Sequence, residues 1–379
     1  MNPWFEKIFA LVLLVSSSLG SCSQSLREAF QKDSKSYTQD LLVSGQGIIW
    51  GMDDFLDGRI IFTEREGNIK IYNPKDASIQ KLTGVPPVVH QGQGGLLDIQ
   101  IKSKASKSPW IYFTYACETS PGLYSTRLSR AKVQGEQLTS LEELFTAQPS
   151  WPTTHHFGSR VRFDHQGHLF LSVGDRGQRD LAQTLDNHMG KVLRLNLDGS
   201  IPEDNPFISQ KNARPEIWSY GHRNIQGLFY DKYTKILWEQ EHGPRGGDEI
   251  NQIKKGGNYG WPVITYGREY HGPKVGEGIT EMEGMEQPEY YYVPSIAPSG
   301  LIMYHGNQFR QWKGSFFSGA LAHRHLNRLY QITAIERKED RMLQHLGKRI
   351  RNVMESKDEH IYFSTDNGEI YALRPPKTS

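Results

Sequence analysis

The stretch richest in reactive side chains runs from Leu237 to Pro262, LWEQEHGPRGGDEINQIKKGGNYGWP. An apolar start (Ile236, Leu237, Trp238) leads into Glu239, Gln240 and Glu241. The chain then breaks at Gly243-Pro244 and Gly246-Gly247, and presents Asp248 and Glu249 ahead of a second strand-like run, Ile250 to Ile253. A Gly-Pro turn fixes the backbone and exposes its carbonyl oxygens, because proline has no N–H and glycine permits close approach. Carbonyls beside several carboxylates suit a hard cation such as calcium. An acidic hairpin on a solvated edge is the competing description of the same residues.

Four further stretches are too polar or too glycine-rich for plain strand. In Gln91-Gly92-Gln93-Gly94-Gly95-Leu96-Leu97-Asp98 the glycines let backbone approach a ligand and Gln93 offers an amide. His155-His156-Phe157-Gly158-Ser159-Arg160 holds a histidine pair. Such a pair is either a surface or metal-binding feature or a proton acceptor near neutral pH. Tyr220-Gly221-His222-Arg223-Asn224-Ile225-Gln226-Gly227 packs Arg, Asn and Gln between glycines, which is costly unless each finds a partner. An Arg-Asn pair suits a carboxylate or a quinone oxygen. In Arg349-Ile350-Arg351-Asn352-Val353 an extended backbone points both guanidinium groups the same way. They repel unless an anion lies between them or the edge is solvated. Together these residues describe a multiply anionic ligand held by Arg223, Arg349 and Arg351, near a base at His156 and a cation at Gly243-Pro244. There is no HExxH, no Gly-x-Ser-x-Gly elbow and no zinc-like cysteine set, which leaves zinc hydrolysis and serine chemistry without support.

These residues need elements to position them. Glycine (37), proline (19) and 42 aromatics (Trp 8, Tyr 18, Phe 16) with few long helical patterns indicate an all-β chain of many short strands. One unit recurs: a turn, an apolar strand, a short polar break, an outgoing strand. It begins at Asp57, Trp110, Gln166, Lys235, Gly314 and Glu359. Six units over some 340 residues average somewhat under about 60 residues each, longer than the ~40–45 of a WD40 blade. Such strands cannot bury both faces alone, and radial stacking protects their edges. The expected fold is therefore a six-bladed β-propeller of four-stranded antiparallel blades over residues 45–376, with long top-face loops chiefly between repeats three and five. A β-sandwich or a two-domain β protein is the alternative. The helical pattern near Leu181 to His188 is short.

The formal charge of +2, from 44 basic and 42 acidic residues, argues against a nucleic-acid binder working by bulk charge. Residues 1–21 have a signal-peptide layout: Lys7, an apolar run from Ile8 to Val15, then small residues. Leu19-Gly20-Ser21-Cys22 resembles the bacterial lipoprotein cleavage box. Export to a periplasm-facing, outer-membrane lipoprotein is expected, with membrane attachment only through a lipid anchor at Cys22. An ordinary signal peptide is the alternative. Residues 22–44 read as a polar tether.

The Gly-Gln-Gly-Gly-Leu-Leu run, His-x-Gly-Ser-Arg, Gly-His-Arg-Asn-x-Gln-Gly-Leu, Glu-x-Gly-Pro with Asp-Glu-Ile-Asn, Gly-Gly-Asn-Tyr-Gly-Trp-Pro and Pro-Ser-Ile-Ala-Pro-Ser-Gly resemble, in order over about residues 45 to 375, the soluble PQQ-dependent glucose and aldose sugar dehydrogenase family. The resemblance implies a six-bladed propeller carrying pyrroloquinoline quinone (PQQ) and Ca2+ on its top face. It implies His156 as the base that takes the C1 hydroxyl proton of an aldose, and Gln93, Arg223, Asn224, Arg349 and Arg351 as cofactor-holding residues. The carbonyls of Gly243 and Pro244 would reach the cofactor's calcium, and Asp248, Glu249 and Tyr259 match positions of structural calcium. Electrons would leave for an unidentified acceptor. Two departures stand out: Ala322 replaces the family's lysine, with His323 or Arg324 as neighbouring candidates, and His155 stands where an Asp precedes the base. Ala322 supports the rival reading, a cofactor-less propeller that binds a glycan or a protein.

Overall fold

A computed structural model describes residues 37–102, 108–330 and 338–376. Six four-stranded antiparallel sheets form the blades of a propeller. Blade 1 holds Ile49–Asp54, Ile60–Glu64, Asn68–Asn73 and Ser78–Lys81; blade 2 holds Leu96–Lys102, Trp110–Ser120, Leu123–Gln134 and Gln137–Thr146. Blade 3 comprises Val161–Phe163, His168–Val173, Lys191–Asn196 and Ile217–Tyr220; blade 4 comprises Ile225–Tyr230, Leu237–Glu241, Asp248–Ile253 and Tyr290–Tyr292. Blade 5 is built from Pro298–Met303, Phe316–Ala320, His325–Tyr330 and Lys338–Met342.

Blade 6 takes Ile350–Glu355, Ile361–Thr365 and Glu369–Arg374 from the end of the chain and Thr38–Val43 from its beginning, with Thr38 opposite Arg374. This closure corrects the expected boundary of the tether. Residues 38–43 are the outer strand of the last blade, so the ring begins before residue 45. A strand supplied from the other end of the chain closes the ring and leaves no free radial edge. The lipoprotein box lies outside the described residues, none of whose helices is long and apolar enough to cross a membrane.

The core lies between blades. Phe317 and Leu326 of blade 5 pack with Val353 and Phe363 of blade 6, and Leu169 and Leu171 of blade 3 pack with Tyr112 and Leu128 of blade 2. The innermost strands converge on the axis. A Cβ on Gly51 would come within 2.8 Å of the Ile99 main chain, so only glycine fits there. The helical stretch expected near Leu181 is a single 3-10 turn, Arg179–Gln183. The longest insertion is the 36 residues between Ile253 and Tyr290, inside blade 4.

Candidate active site

Two sets of connections meet on one face of the ring. One comprises residues one to three positions before five of the six innermost strands: Gln93, Gly158, Asn224, Ala297 and Arg349. The other comprises residues one or two positions after five of the six second strands: Arg65, Asp175, His242, Leu321 and Asp366. Most of them line a cavity of about 230 Å3, with Trp50 and Leu97 below. Arg160, fully buried, packs against the lining residue Trp50 without lining the cavity itself. That guanidinium lies 3.9 Å from the Trp50 ring centroid and donates to Gln226 O, Asp98 Oδ1 and Asn352 Oδ1, while its Nη2 has no hydrogen-bond partner.

One wall is cationic. Arg351 donates to Asp366 through Nε (2.7 Å) and Nη2 (2.9 Å), and Arg349 through Nε (2.8 Å), while Arg349 Nη1 reaches Leu321 O. The anion that the Arg349–Arg351 repulsion calls for is therefore partly the protein's own. Burial pushes the Asp366 carboxyl up, but Arg351 and Arg349 outweigh it and hold it below the usual range. Arg65 joins the wall from the end of a blade 1 strand, gripping the carbonyls of Gly92 and Gly94 and so shaping the Gln93 loop. Three guanidinium groups face one carboxylate, which leaves a net positive wall. Ala322 does not line this cavity, nor do His323 and Arg324; Arg65 is the additional cation.

Next to the lining residues Phe157 and Gly158, and not itself part of the lining, stands a proton acceptor, His156. His156 Nδ1 lies 2.7 Å from Asp175 Oδ1, whose other oxygen accepts the Trp261 indole N–H at 2.8 Å. Gly177 N also donates to Asp175. With Nδ1 engaged, Nε2 is the ring nitrogen left to take a proton. Burial lowers the His156 pKa; the Asp175 hydrogen bond opposes this and Arg223 adds to it, leaving the ring below its ordinary value and neutral near pH 7. Burial raises the Asp175 carboxyl, but the His156 hydrogen bond and the nearby Arg223 charge outweigh it and hold the group below the usual carboxylate range. His156 has φ of 54°, a left-handed conformation rare for a side chain of this size, and a Cβ on Gly174 would meet its carbonyl. Asp175, not residue 155, orients the base. His155 packs its ring edgewise on His156, and its carbonyl accepts from Arg176 Nε.

The cavity and the acceptor are joined. His156 N donates to Gln93 Oε1 (2.8 Å), Asp175 N to Arg223 O (2.8 Å), and Asn224 Oδ1 accepts from Gly158 N (3.2 Å). Arg223 does not line the cavity. Its Nη1 donates to the carbonyls of His242 and Gly243 at 3.1 Å each. His242 feels the whole set: burial, then Arg223, His156 and Arg351, depress its pKa to about 3, so it stays neutral and donates or accepts without titrating.

The expected metal residues separate into two groups. At the Gly243-Pro244 bend the carbonyl of Gly243 is already taken by a guanidinium. A dication fits there only with a polyanionic ligand completing its shell. Asp248 stands apart from the other acids. It accepts Gly243 N, Ser295 Oγ, Ile296 N and Ala297 N, and so braces the bend. Glu249 faces Glu241 directly across the sheet, with Glu239 and His222 beside them, and Tyr259 stacks on His222 at 4.6 Å. Like charges directly opposite are unfavourable. Burial and Glu241 push Glu249 up to about 8, burial raises Glu239 well above the usual range, and Glu239 Oε2 has no partner. That donor set fits a buried cation, with Glu239 and Glu241 in the place expected of Asp248.

Of the residues preceding the innermost strands, sequence reasoning named Gln93, Asn224 and Arg349, and it missed Asp175, His242, Asp366 and Arg65. All four follow a second strand by one or two residues, a regularity visible in the repeats themselves.

Comparison with known proteins agrees with this geometry. Residues 47–372 match the Glucose / Sorbosone dehydrogenase family model. The aldose sugar dehydrogenase of Escherichia coli is 38% identical over 322 residues, covering 83% of this chain and 86% of that one. The apo-form crystal structure of the E. coli soluble aldose sugar dehydrogenase superposes with a TM-score of 0.85 at 36% identity, covering 89% of this chain and 99% of that one. The PQQ-bound aldose sugar dehydrogenase of Streptomyces coelicolor gives 0.73 at 25% identity, covering 90% and 98%. The chain therefore belongs to the glucose/sorbosone dehydrogenase family, quinoprotein oxidoreductases acting on the CH–OH groups of sugars.

Proposed function

We propose that this chain is an exported aldose dehydrogenase that uses PQQ and calcium to oxidise the C1 hydroxyl of a sugar to a lactone. The observation that carries the reading is the wall of three guanidinium groups against one carboxylate in a small cavity, with a histidine held neutral by burial bonded to the lining residue Gln93. Charge-assisted bonds from Arg349 and Arg351 suit the carboxylates of the quinone, Gln93 and Asn224 suit its carbonyl oxygens, and the unpartnered Arg160 Nη2 adds positive potential from below. When bound, the cofactor supplies the two-electron acceptor for the C1 hydride, with calcium as Lewis acid.

The residues of the chain do the rest. His156 Nε2 takes the C1 hydroxyl proton, and Asp175 holds the ring in the tautomer with Nδ1 protonated and stabilises the imidazolium that forms. Trp261 fixes Asp175 through its indole N–H. Arg223 steadies the Gly243 carbonyl and, through its own main chain, Asp175. The Gly243-Pro244 carbonyls and the Glu239–Glu241–Glu249 group are the two places proposed for calcium, with Tyr259 packing the second. Export and lipidation at Cys22 rest on the leader residues.

A glycan- or protein-binding role without the cofactor is favoured by one observation: Asp366 already neutralises part of the arginine clamp. Reconstitution of the purified protein with PQQ and calcium, followed by assay of aldoses with a dye acceptor, decides between them. Turnover supports the dehydrogenase; absence of turnover together with no calcium-dependent spectral change in the quinone supports the binding role.

A further inference from the structure

A second concavity opens beside the cofactor cavity and shares His242 and Ala297 with it. It encloses about 700 Å3, and the Gly243-Pro244 bend, the hairpin around Tyr270, Val293 and Ala322 form its walls. Apart from His242 and the Gly243-Pro244 bend, none of its lining residues has a role in the reaction assigned above.

The groove is charged in one sense. Arg245 and Arg268 both line it, and no carboxylate does among the described residues. The two arginines are held opposite one another by reciprocal backbone bonds, Arg245 N to Arg268 O at 3.0 Å and Arg268 N to Arg245 O at 3.2 Å. Neither guanidinium makes a side-chain hydrogen bond or ion pair in the described residues, and the nearest acid in sequence, Glu269, is taken by Arg179. The Arg349–Arg351 pair shows what this fold does when two arginines need a counter-charge of its own: it supplies Asp366. Here it supplies none. Placing like charges across a bridge without a counter-charge is unfavourable in the empty protein and becomes favourable when an anion arrives. Tyr270, 65% exposed, presents a ring to the groove while its hydroxyl accepts from Arg223 Nη2 at 3.4 Å, tying the groove to the reaction centre.

We infer that this groove is a substrate subsite, and that the chain takes aldoses carrying an anionic group, a carboxylate or a phosphate, at the end remote from C1. The inference rests on the proposed dehydrogenase reading. With C1 at His156, the far end of the sugar leaves the cofactor cavity past Ala297 and Ala322, its ring lies along Tyr270, and its anionic group meets Arg245 and Arg268. Guanidinium forks match the planar and tetrahedral oxyanions geometrically, which a neutral hydroxymethyl group does not exploit.

The test compares glucose, glucuronate and glucose 6-phosphate as substrates of the reconstituted holoenzyme, in the wild type and in an Arg245→Gln/Arg268→Gln double variant. Both substitutions are at exposed positions and leave the machinery around His156 intact. The expected result is a kcat/KM for at least one anionic aldose about tenfold or more above that for glucose, expressed in KM, diminished by added salt and lost in the double variant while glucose turnover is unchanged. The two anionic substrates distinguish a carboxylate from a phosphate preference. Glucose equal to or better than both, or a preference that survives in the double variant, overturns the inference. If no sugar is oxidised, the dehydrogenase reading fails. Calorimetric titration of the same preparations with glucuronate and glucose 6-phosphate then decides the groove separately: binding lost in the double variant supports it, and no binding or unchanged binding overturns it.

Discussion

The ring has two mouths, and all six innermost strands line the channel between them. The mouth at the start of those strands is the cofactor cavity of about 230 Å3; the one at their ends, near Phe163, Phe229, Ile302 and Met354, is of nearly the same size, about 240 Å3. Their chemistry differs. At the far mouth Arg162 is paired with Asp98, Asp53 accepts Ile101 N and the Asp54 N–H, Glu355 accepts His305 N, and most of the other lining residues are apolar. At the near mouth three arginines share one carboxylate and a strained histidine is braced by a buried aspartate. Arg160 over Trp50 separates the two. The same strands thus build a satisfied end and an unsatisfied one. Unsatisfied polar groups in a concavity are what a ligand repairs.

The contrast can be broken most severely at the base. His156→Gln removes the proton acceptor and is expected to lower kcat about 10²–10⁴-fold with cofactor affinity within about twofold, measured on the reconstituted enzyme. Asp175→Asn is expected to lower kcat by about 10²-fold and to move the acidic limb of the pH profile. Because burial depresses the His156 pKa, that limb lies below pH 6.5 in the wild type: the ring is neutral and competent above it and protonated below it. The Asp175 hydrogen bond raises the value, so its loss moves the limb to still lower pH. A limb that stays put would mean Asp175 serves the fold rather than the base.

A smaller effect concerns the buried acids. Calcium in excess should raise the melting temperature by roughly several degrees, as ligand binding to the native state at about 100 times its Kd contributes ~2.7 kcal/mol. Glu239→Gln should remove that response, read by calorimetry with and without chelator. An equal calcium response in the variant would place the ion elsewhere, with the Gly243-Pro244 bend as the alternative. The smallest effect belongs to the far mouth. Gln100→Ala, whose amide donates only to the Ile99 carbonyl, should change kcat/KM and cofactor affinity by less than about twofold. A larger loss would show that the two ends are coupled through Arg160.

The propeller was legible in the sequence because each blade repeats the same apolar strand pair, and periodicity survives variation in the loops. The closing strand was not, since Thr38–Val43 reads as polar and gains its place only by pairing with Arg374 and its neighbours. In the site, residues clustered in glycine-rich motifs announced themselves. Asp175, Asp366 and Arg65 did not, because each sits at a strand end outside those motifs, and what distinguishes it is a partner far away in sequence. Asp366 also shows the limit of local charge reasoning. Two arginines on one strand face demanded an anion, and the chain itself furnished one 15 residues later. Asp248 and Glu249 adjoin in sequence yet face opposite ways, as alternation in a strand requires, so one braces the Gly-Pro bend and the other joins the acidic group.

The central claim is that the near mouth is a polyanion site joined to a proton acceptor, and it is tested most directly by titrating PQQ into the calcium-supplemented protein while following heat or quinone absorbance. The account predicts saturable binding at one quinone per chain, weakened by salt and reduced about 10- to 100-fold by Arg351→Gln. Absence of saturable binding in the wild type, or an affinity indifferent to both salt and Arg351, would contradict it.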